Sequence, residues 1–242
     1  MSSVPRSRHL DWDGCWNVRD FGGLPARSGR ATRFGGIVRA DSLDRLTPTG
    51  WSALTAYGIG TIVDLRNDHE LAREARAQPP GVARVHLPLD CVEDREFWDH
   101  WEAQPPPLFY RPHLERFPER TVAVVRAIAR ARPGGVLVHC GSGRDRTGLV
   151  AMVVLALVGV TGEAIVADFE LSEARLARLY ARPGEEDEGA AITTLLERAG
   201  TTAGEVVADT LASLDLEAHL RSGGLGEGDV EALRERLLEP SV

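Results

Sequence analysis

Four short apolar runs lie along the first 140 residues, and each is long enough to form one strand of a sheet. TIVDL, at residues 61–65, is an apolar run with β-branched residues, which is typical of a buried strand. The other runs, GIVRA, ARVHL and GVLVH, lie at residues 36–40, 83–87 and 135–139. We therefore predict four strands, separated by longer stretches that mix polar and apolar residues.

Those intervening stretches have the spacing and the end signals of helices. Thr47 followed by Pro48 is typical of an N-cap with proline at the first helical position, and it predicts a helix that runs to Tyr57. Beyond Gly162 the pattern is helical almost to the end, interrupted by an acidic turn at 184–189. Further helices are predicted at residues 67–77, 121–131 and 144–158, and the stretch 222–239 is predicted to end in a helix that begins near Asp229.

The alternation of strands and helices favours an α/β fold with a mostly parallel central sheet of about four or five strands, flanked by helices. We expect one domain over residues 1–242, with a loop-rich segment at 1–35 and a helical C-terminal region at 173–242. Residues 90–120 contain two tryptophans and three consecutive prolines. This segment is expected to form either a helical lid over a site or a surface excursion whose aromatic side chains pack into the core.

Composition narrows the class of protein. A chain of 242 residues can bury one sizeable core or two small ones. Its formal net charge of −8 makes it a poor general binder of nucleic acid. The longest apolar run, residues 149–158, is far shorter than the roughly 20 residues of a membrane span, so we expect no integral membrane association. The oligomeric state stays open.

Cysteine content points to a reducing compartment. Cys15, Cys91 and Cys140 are too few for a disulfide framework, and no CxxC pair indicates a metal site. The N-terminus has no apolar segment typical of a signal peptide. We expect a cytoplasmic protein without a metal or cofactor, and export without a recognisable signal stays open. The sequence contains no lysine, so a single arginine carries less information than usual.

The sequence HCGSGRDRTG, at residues 139–148, joins a predicted strand to a predicted helix through glycines, which is an arrangement that binds anions. Beside a helix N-terminus and arginines, Cys140 is expected to be a thiolate and a nucleophile toward phosphorus. Arg146 can clamp two phosphoryl oxygens. Thr147 can donate its hydroxyl to the sulfur, and His139 is expected to orient the loop through backbone contacts. The predicted phosphate-binding residues are Gly141, Ser142, Gly143, Arg144, Asp145 and Arg146.

This loop resembles the HCxxGxxR[ST]G loop of the protein tyrosine phosphatase superfamily. More narrowly, it resembles the HCxxGKDRTG loop of the atypical bacterial tyrosine and lipid phosphatases. NVRDFGG, VDLRNDHE and IVADFELS, at residues 17–23, 63–70 and 165–172, resemble further segments of that family, as does the C-terminal helix. The main departure is Arg144, where the family usually has a lysine that is implicated in phosphoinositide recognition.

The resemblance implies a metal-independent phosphomonoester hydrolase that works through a cysteinyl-phosphate intermediate. Phosphotyrosine, phosphoserine or phosphothreonine, and phosphoinositides all remain open as substrates. Two other functions stay open: a catalytically weak phosphate-binding module, and a rhodanese-like sulfurtransferase, which also uses a loop cysteine. The purely structural alternative is a buried cysteine at a strand end followed by a glycine turn.

The leaving group needs a proton, which an ionised cysteine cannot supply. Asp145 lies inside the loop, where a phosphate dianion and a thiolate would favour its protonated form, and the resemblance also implies a functional aspartate there. Asp90, just after the third predicted strand, lies where dual-specificity relatives carry their general acid. We predict Asp145 as the acid, with Asp90 as the alternative. Asp145 could instead be a structural partner of a neighbouring arginine or backbone amide.

Other charged residues near the predicted strand ends are Arg19, Asp20, Asp64 and Arg66. Arg66 could add positive potential to the site and Asp64 could orient an arginine, or the four could form a structural ion-pair network. Cys15 and Cys91 are interpreted as buried small residues, and the alternative is a regulatory disulfide with Cys140.

Overall fold

The computed structural model describes residues 6–71 and 79–240, which form an α/β fold around one five-stranded sheet. Its strands are β1 (Arg19–Asp20), β2 (Ile37–Ala40), β3 (Ile59–Asp64), β4 (Ala83–His86) and β5 (Gly135–His139). In the sheet they follow the order β1-β2-β5-β3-β4. The pairs among β2, β5, β3 and β4 are parallel, and β1 is antiparallel to β2. The predicted fold class and its four strands are therefore confirmed.

Strand β1 lies inside the segment that we expected to be loop-rich. It has two residues, which is too short to show an alternating pattern in the sequence. It pairs with β2 so that Asp20 lies opposite Val38, and it forms the antiparallel edge of an otherwise parallel sheet. Edge strands of this length are set by tertiary packing rather than by their own propensity.

Eleven α-helices and one short 3-10 helix (Leu43–Arg45) are present among the described residues, and most of the α-helices lie where the sequence predicts helices. Helix α1 begins at Pro48, and its cap is Thr47, whose Oγ1 accepts a hydrogen bond from the Gly50 N–H at 3.2 Å. Of the helix predicted over 67–77, the structure describes the first turn, and residues 72–78 lie outside the described residues. The helices are α1 (Pro48–Ala56), α2 (Asp68–Leu71), α3 (Arg95–Trp101), α4 (Tyr110–Arg116), α5 (Pro118–Ala129), α6 (Asp145–Leu157), α7 (Gly162–Tyr180), α8 (Glu188–Arg198), α9 (Ala203–Ser213), α10 (Leu216–Ser222) and α11 (Glu227–Leu237).

Two apolar clusters cover the two faces of the sheet. Successive residues of a strand point to opposite faces, and strand β5 shows this directly. Val136 and Val138 belong to the larger cluster, which contains the buried faces of α5, α6, α10 and α11. Leu137 belongs to the smaller cluster, with Trp12 and Leu54 of α1. The sheet is thus buried on both sides, which leaves the ends of its strands as the place for a site.

The segment 90–120 contains helices α3 and α4, and its aromatic rings pack on each other and on the larger cluster. The rings of Phe97 and Phe117 meet edge to face with centroids 4.9 Å apart, and both side chains are buried. Tyr110 is fully buried and donates its hydroxyl to the carbonyl oxygen of Asp145 at 2.6 Å. This segment therefore contacts the end of the sheet that carries the cysteine.

Across residues 6–71 and 79–240, none of the helices has both the length and the apolar composition needed to span a bilayer.

Candidate active site

Cys140 lies at the carboxyl end of β5, in the middle of the sheet. The neighbouring strands end beside it, since Ala40 of β2 and Asp64 of β3 both lie opposite His139. Helix α6 begins at Asp145, so the loop between strand and helix meets the positive end of the helix. The Cys140 side chain is almost completely buried, with 2% of its surface exposed. This is the location expected for a ligand site in an open parallel sheet.

Gly143 allows this loop to lie directly against strand β2. Its φ angle is +67°, a conformation that favours glycine. A Cβ atom there would lie 2.3 Å from the carbonyl oxygen of Ala40 and 2.7 Å from the backbone nitrogen of Asp41. Both atoms belong to backbone, which cannot move aside cheaply. A side chain at this position would therefore push the loop away from the sheet.

Three consecutive carbonyls of the loop accept hydrogen bonds from donors outside it. The bonds are Ser42 N to Gly141 O (2.7 Å), Asn17 Nδ2 to Ser142 O (3.1 Å) and Arg39 Nη2 to Gly143 O (2.7 Å). In a planar trans peptide the N–H points opposite to the carbonyl. Each outward carbonyl therefore turns the next N–H to the other side of the loop. These N–H groups, with the start of α6, form an amide cradle suited to an anion, although the Arg144 N–H also donates to the Ser142 Oγ at 3.4 Å.

A buried carboxylate holds the arginine that supports the back of this cradle. Asp168 of α7 accepts hydrogen bonds from Arg39 Nη1 at 2.8 Å and from Arg19 Nε at 3.1 Å, and it also pairs with Arg8. Burial opposes ionisation of Asp168, but the three guanidinium groups hold its pKa well below the usual range. Burial and the neighbouring Arg39 lower the pKa of Arg19 to about 9.

Sequence reasoning did not identify Asn17, Arg39 or Asp168 as site residues. The available signal was a charged residue within an apolar run, because buried charges are rare unless they are paired. Arg39 is such a residue in GIVRA, and Asp168 is such a residue in IVADFELS. Their pairing could not be predicted from the sequence, because the two residues lie 129 positions apart and no local pattern connects them.

The charged residues at the other strand ends form ion pairs and turns. Arg66 donates to Asp64 (Nη2 to Oδ2, 2.9 Å) and also pairs with Asp44. Asp64 also pairs with Arg84, and despite burial these arginines hold its pKa well below the usual range. Asp20 accepts hydrogen bonds from the Tyr57 hydroxyl and from the backbone at Gly22 and Gly35.

His139 lies beneath the cysteine and is fully buried. Its Nδ1 is 3.1 Å from the carbonyl oxygen of Cys140, and its Nε2 is 3.5 Å from Asp64 Oδ2. Burial lowers the pKa of His139 to about 4. The histidine contacts the loop through a backbone carbonyl, which is the kind of contact that the sequence predicts for it.

On the front of the loop, Arg146 forms a two-bond ion pair with Glu70 of α2. Its Nη2 is 2.8 Å from Oε1, and its Nη1 donates to Oε2. Burial opposes ionisation of Glu70, but the bonds from Arg146 lower its pKa. No hydrogen bond within residues 6–71 and 79–240 uses the Nε of Arg146, so that edge of the guanidinium is free to bind a ligand. Glu70 was not predicted as a site residue, although it ends the VDLRNDHE segment.

The two candidate acids lie in different surroundings. Asp145 accepts a hydrogen bond from Arg144 Nε at 2.9 Å, and about a quarter of its side chain is exposed. Asp90 Oδ2 lies 3.2 Å from Asn67 Nδ2 and 3.5 Å from Arg146 Nη1. Burial raises the pKa of Asp90, and Arg146 and Asn67 offset this only in part. Both candidates are thus adjacent to the loop.

The structure also shows the surroundings of three further residues from the sequence analysis, Thr147, Cys15 and Cys91. The Thr147 hydroxyl is buried and has no hydrogen-bond partner among the described residues. Cys15 is buried, with its sulfur 3.5 Å from the carbonyl oxygen of Ser42. Cys91 is half-buried and its sulfur lies 3.6 Å from Arg120 Nη2.

Comparison with known proteins shows the family to which the chain belongs. The profile of the tyrosine phosphatase family matches residues 10–239. The triple specificity protein phosphatase PtpB of Mycobacterium tuberculosis is 32% identical over 71% of this chain and 72% of its own length. A tyrosine-protein phosphatase of Nostoc commune is 30% identical over 69% of this chain and 57% of its own length. The crystal structure of TpbA from P. aeruginosa in complex with phosphotyrosine superimposes with a TM-score of 0.47 at 17% identity, covering 93% of this chain and all of that one.

Proposed function

The chain belongs to the tyrosine phosphatase family, and we propose that it hydrolyses phosphate monoesters through a cysteinyl-phosphate intermediate. The observation that carries this proposal is the amide cradle beside Cys140. Its carbonyls are held outward by Ser42, Asn17 and Arg39, so the N–H groups are fixed before any substrate arrives. Donors that are fixed in advance stabilise a transferring phosphoryl group without reorganising.

In the first step the Cys140 thiolate attacks phosphorus, and the bond from phosphorus to the leaving oxygen breaks. The Nε edge of Arg146 binds phosphoryl oxygens while Glu70 holds the opposite edge. In the second step water attacks the phosphocysteine and passes a proton to Asp145, the bond from phosphorus to sulfur breaks, and inorganic phosphate and the Cys140 thiolate are released. The Thr147 hydroxyl has no hydrogen-bond partner among the described residues, the Cys140 sulfur included, so the donation to sulfur that the sequence predicts is not seen.

The leaving oxygen takes its proton from Asp145 in this proposal. The Arg144 guanidinium fixes the orientation of the Asp145 carboxyl, and that carboxyl remains partly exposed at the mouth of the loop. Asp90 is the second candidate, because burial raises its pKa and it lies beside Arg146. A general acid must carry a proton at the pH of the reaction.

The reaction is tested with p-nitrophenyl phosphate in the presence of EDTA. We expect turnover that Cys140→Ser abolishes, a loss of at least about 10⁴-fold, while binding of inorganic phosphate persists. Cys91→Ser serves as the matched control, and we expect it to retain activity. Full activity of Cys140→Ser would overturn the mechanism. Phosphate binding without turnover in the unmodified protein would indicate a binding module, and thiocyanate formation from thiosulfate and cyanide would indicate a sulfurtransferase.

The acid is tested by comparing Asp145→Asn with Asp90→Asn on two substrates. Phenyl phosphate has a poor leaving group that needs protonation, and p-nitrophenyl phosphate has a good one. We expect Asp145→Asn to slow phenyl phosphate about 10²-fold or more, and p-nitrophenyl phosphate far less. If Asp90→Asn shows that selective loss instead, Asp90 is the acid.

We propose a phosphorylated protein as the substrate. We also propose the cytoplasm as the location, because a nucleophilic thiol and two further free cysteines are kept reduced there.

A further inference from the structure

A cavity of about 580 Å³ adjoins the loop, which it touches at Gly141 and Ser142. Its opposite wall is formed by the end of α7 and by residues 185–188, and it is open to solvent on one side. A group bonded to a phosphoryl oxygen in the amide cradle would lie in or beside this cavity. The charges that line it therefore bear on which phosphate ester the proposed enzyme takes.

Carboxylates outnumber cations in this lining. The acidic residues are Asp44, Glu70, Glu185, Glu186 and Glu188, and the basic ones are Arg45, Arg66 and His69. A site that binds several phosphates at once would need the opposite balance, with free guanidinium or ammonium groups around the first phosphate.

The arginines of the lining are already bound to carboxylates. Arg45 Nη2 lies 2.7 Å from a carboxylate oxygen of Glu185. Arg66 is buried and pairs with both Asp44 and Asp64. A second phosphate would have to displace one of these carboxylates before it could gain an arginine. Such displacement leaves a carboxylate facing a phosphate, which is repulsive.

The loop arginine that replaces the lysine of similar proteins is engaged in the same way. Arg144 donates to Asp145 at 2.9 Å and to Glu188 at 3.4 Å. Glu188 thus holds the guanidinium on the side of α8. Arg144 does not line this cavity, so the departure noted in the sequence adds no cation to its wall for an inositol phosphate.

One acid of the wall has no partner. Glu186 is exposed on the cavity wall, and within the described part of the chain no hydrogen bond or ion pair engages its carboxylate. The cradle and Arg146 supply the positive charge that one phosphoryl group needs, and Glu186 adds a negative charge on the wall of the adjoining cavity. The cavity is therefore complementary to an ester that carries one phosphate and a nearby positive charge.

We propose that the substrate is a phosphorylated protein segment with arginine or lysine next to the phosphorylated residue, and that Glu186 helps to select it. This rests on the proposed phosphatase activity. Phosphoinositides carry several negative charges and lie in anionic membranes, and both features are repelled by the acidic wall. Rejection of the wrong substrate by repulsion is as much a part of specificity as attraction of the right one.

The test uses two phosphotyrosine peptides that differ in flanking residues, arginine in one and glutamate in the other. One charge pair about 5 Å apart in water-like surroundings changes binding by about fourfold. With attraction for one peptide and repulsion for the other, we expect kcat/KM to favour the arginine peptide by about 10- to 20-fold at low salt. The preference should shrink toward unity in 0.5 M salt.

Glu186→Gln should lower that ratio by about 10- to 20-fold, to near one, and Glu186→Arg should invert it in favour of the glutamate peptide. Because both peptides are measured on the same variant, a general loss of activity cancels in the ratio. Glu231→Gln, an exposed acid on α11, is the matched control and should keep the ratio of the unmodified protein.

The two proposals fail in different ways. If p-nitrophenyl phosphate is not hydrolysed at all, the phosphatase proposal fails. If it is hydrolysed but the peptide ratio is one or less, or does not change in Glu186→Arg, the basic-substrate inference fails alone. Faster hydrolysis of a short-chain phosphatidylinositol trisphosphate than of the arginine peptide would also overturn it.

Discussion

Two carboxylates hold arginines on opposite sides of the same loop, and they differ in burial and in what they leave free. Asp168, behind the loop, has 1% of its side chain exposed and pairs with three arginines. Glu70, in front, has 24% exposed and pairs with Arg146. Behind the loop, the Nη donors of Arg39 are bound to protein oxygens, including the Gly143 carbonyl. In front, Glu70 takes one edge of Arg146 and leaves the Nε edge free.

An arginine–carboxylate pair therefore has one of two roles here, and its exposure to solvent decides which. A buried arginine–carboxylate cluster is costly to assemble and far more costly to break, so it fixes the backbone. A partly exposed pair contributes little to stability. Its arginine can still be oriented for a ligand that binds the other edge of the fork. We expect changes behind the loop to appear mainly in stability, and changes in front to appear mainly in activity.

The largest effect should be the loss of activity when Arg146, in front of the loop, is replaced. Arg146→Met removes the only guanidinium that we propose to bind the phosphoryl group, and we expect kcat/KM for p-nitrophenyl phosphate to fall by about 10³- to 10⁴-fold. Arg111→Met, an arginine on the surface of α4, is the control and should stay near the activity of the unmodified protein. A loss smaller than tenfold for Arg146→Met would contradict the assigned role.

Behind the loop, Asp168→Asn should reduce the free energy of unfolding by about 3–5 kcal/mol, because it leaves fully buried Arg19 and Arg39 without a counter-charge. Asp229→Asn is the matched control. Asp229 also pairs with two arginines, but 41% and 65% of their side chains are exposed, so water can solvate them and the loss should be smaller. Urea denaturation measures both, and equal losses would remove the distinction drawn from burial.

The free energy of unfolding should also depend on pH through His139, because this side chain is fully buried and the fold loses stability when the side chain must take up a proton. Its pKa is about 4 in the folded protein, against about 6.5 when unfolded. The unfolded chain therefore binds a proton that the folded protein does not, and stability is lost as pH falls from 6.5 to 4, by up to about 3 kcal/mol.

His139→Asn should remove this contribution, so the gap between its stability and that of the unmodified protein should change with pH over that window. The comparison must be made between variants, because burial raises the pKa of Asp41 to about 6 and gives a slope of the opposite sign. A constant difference in denaturant midpoint between pH 6.5 and 4.5 would show that His139 is not the group responsible.

The smallest of these effects should come from Glu70→Gln. We expect less than about 1 kcal/mol of lost stability, since the pair is partly exposed, and roughly a tenfold lower kcat/KM, since Arg146 loses its fixed orientation. Weaker inhibition by inorganic phosphate should accompany the lower activity. Tighter inhibition by phosphate would mean instead that Glu70 competes for Arg146 rather than positioning it. Glu115→Gln, on the surface of α4, is the control.

Local patterns were enough to predict the central part of the fold. Strand β5, the glycine loop and helix α6 are consecutive in the chain, so their hydrophobic pattern and their glycines specify them without reference to the rest. The Thr47 cap of α1 was predictable for the same reason. Strand β1 was not, because two residues carry no periodicity. Helices α3 and α4 lie in a segment broken by prolines, where aromatic packing rather than sequence spacing determines the structure.

The sequence by itself determined which residues we propose for the chemistry: a cysteine, a glycine that must take a positive φ, and an arginine, all within seven positions at the end of one strand. Only the tertiary structure decided what holds them. Asn17, Arg39 and Asp168 come from three distant parts of the chain, and Glu70 comes from a fourth. Hydrophobic periodicity records which face of an element is buried, but it does not record which buried charge meets which. That choice depends on where the packed elements place each side chain, because a charge removed from water is stable only beside its partner.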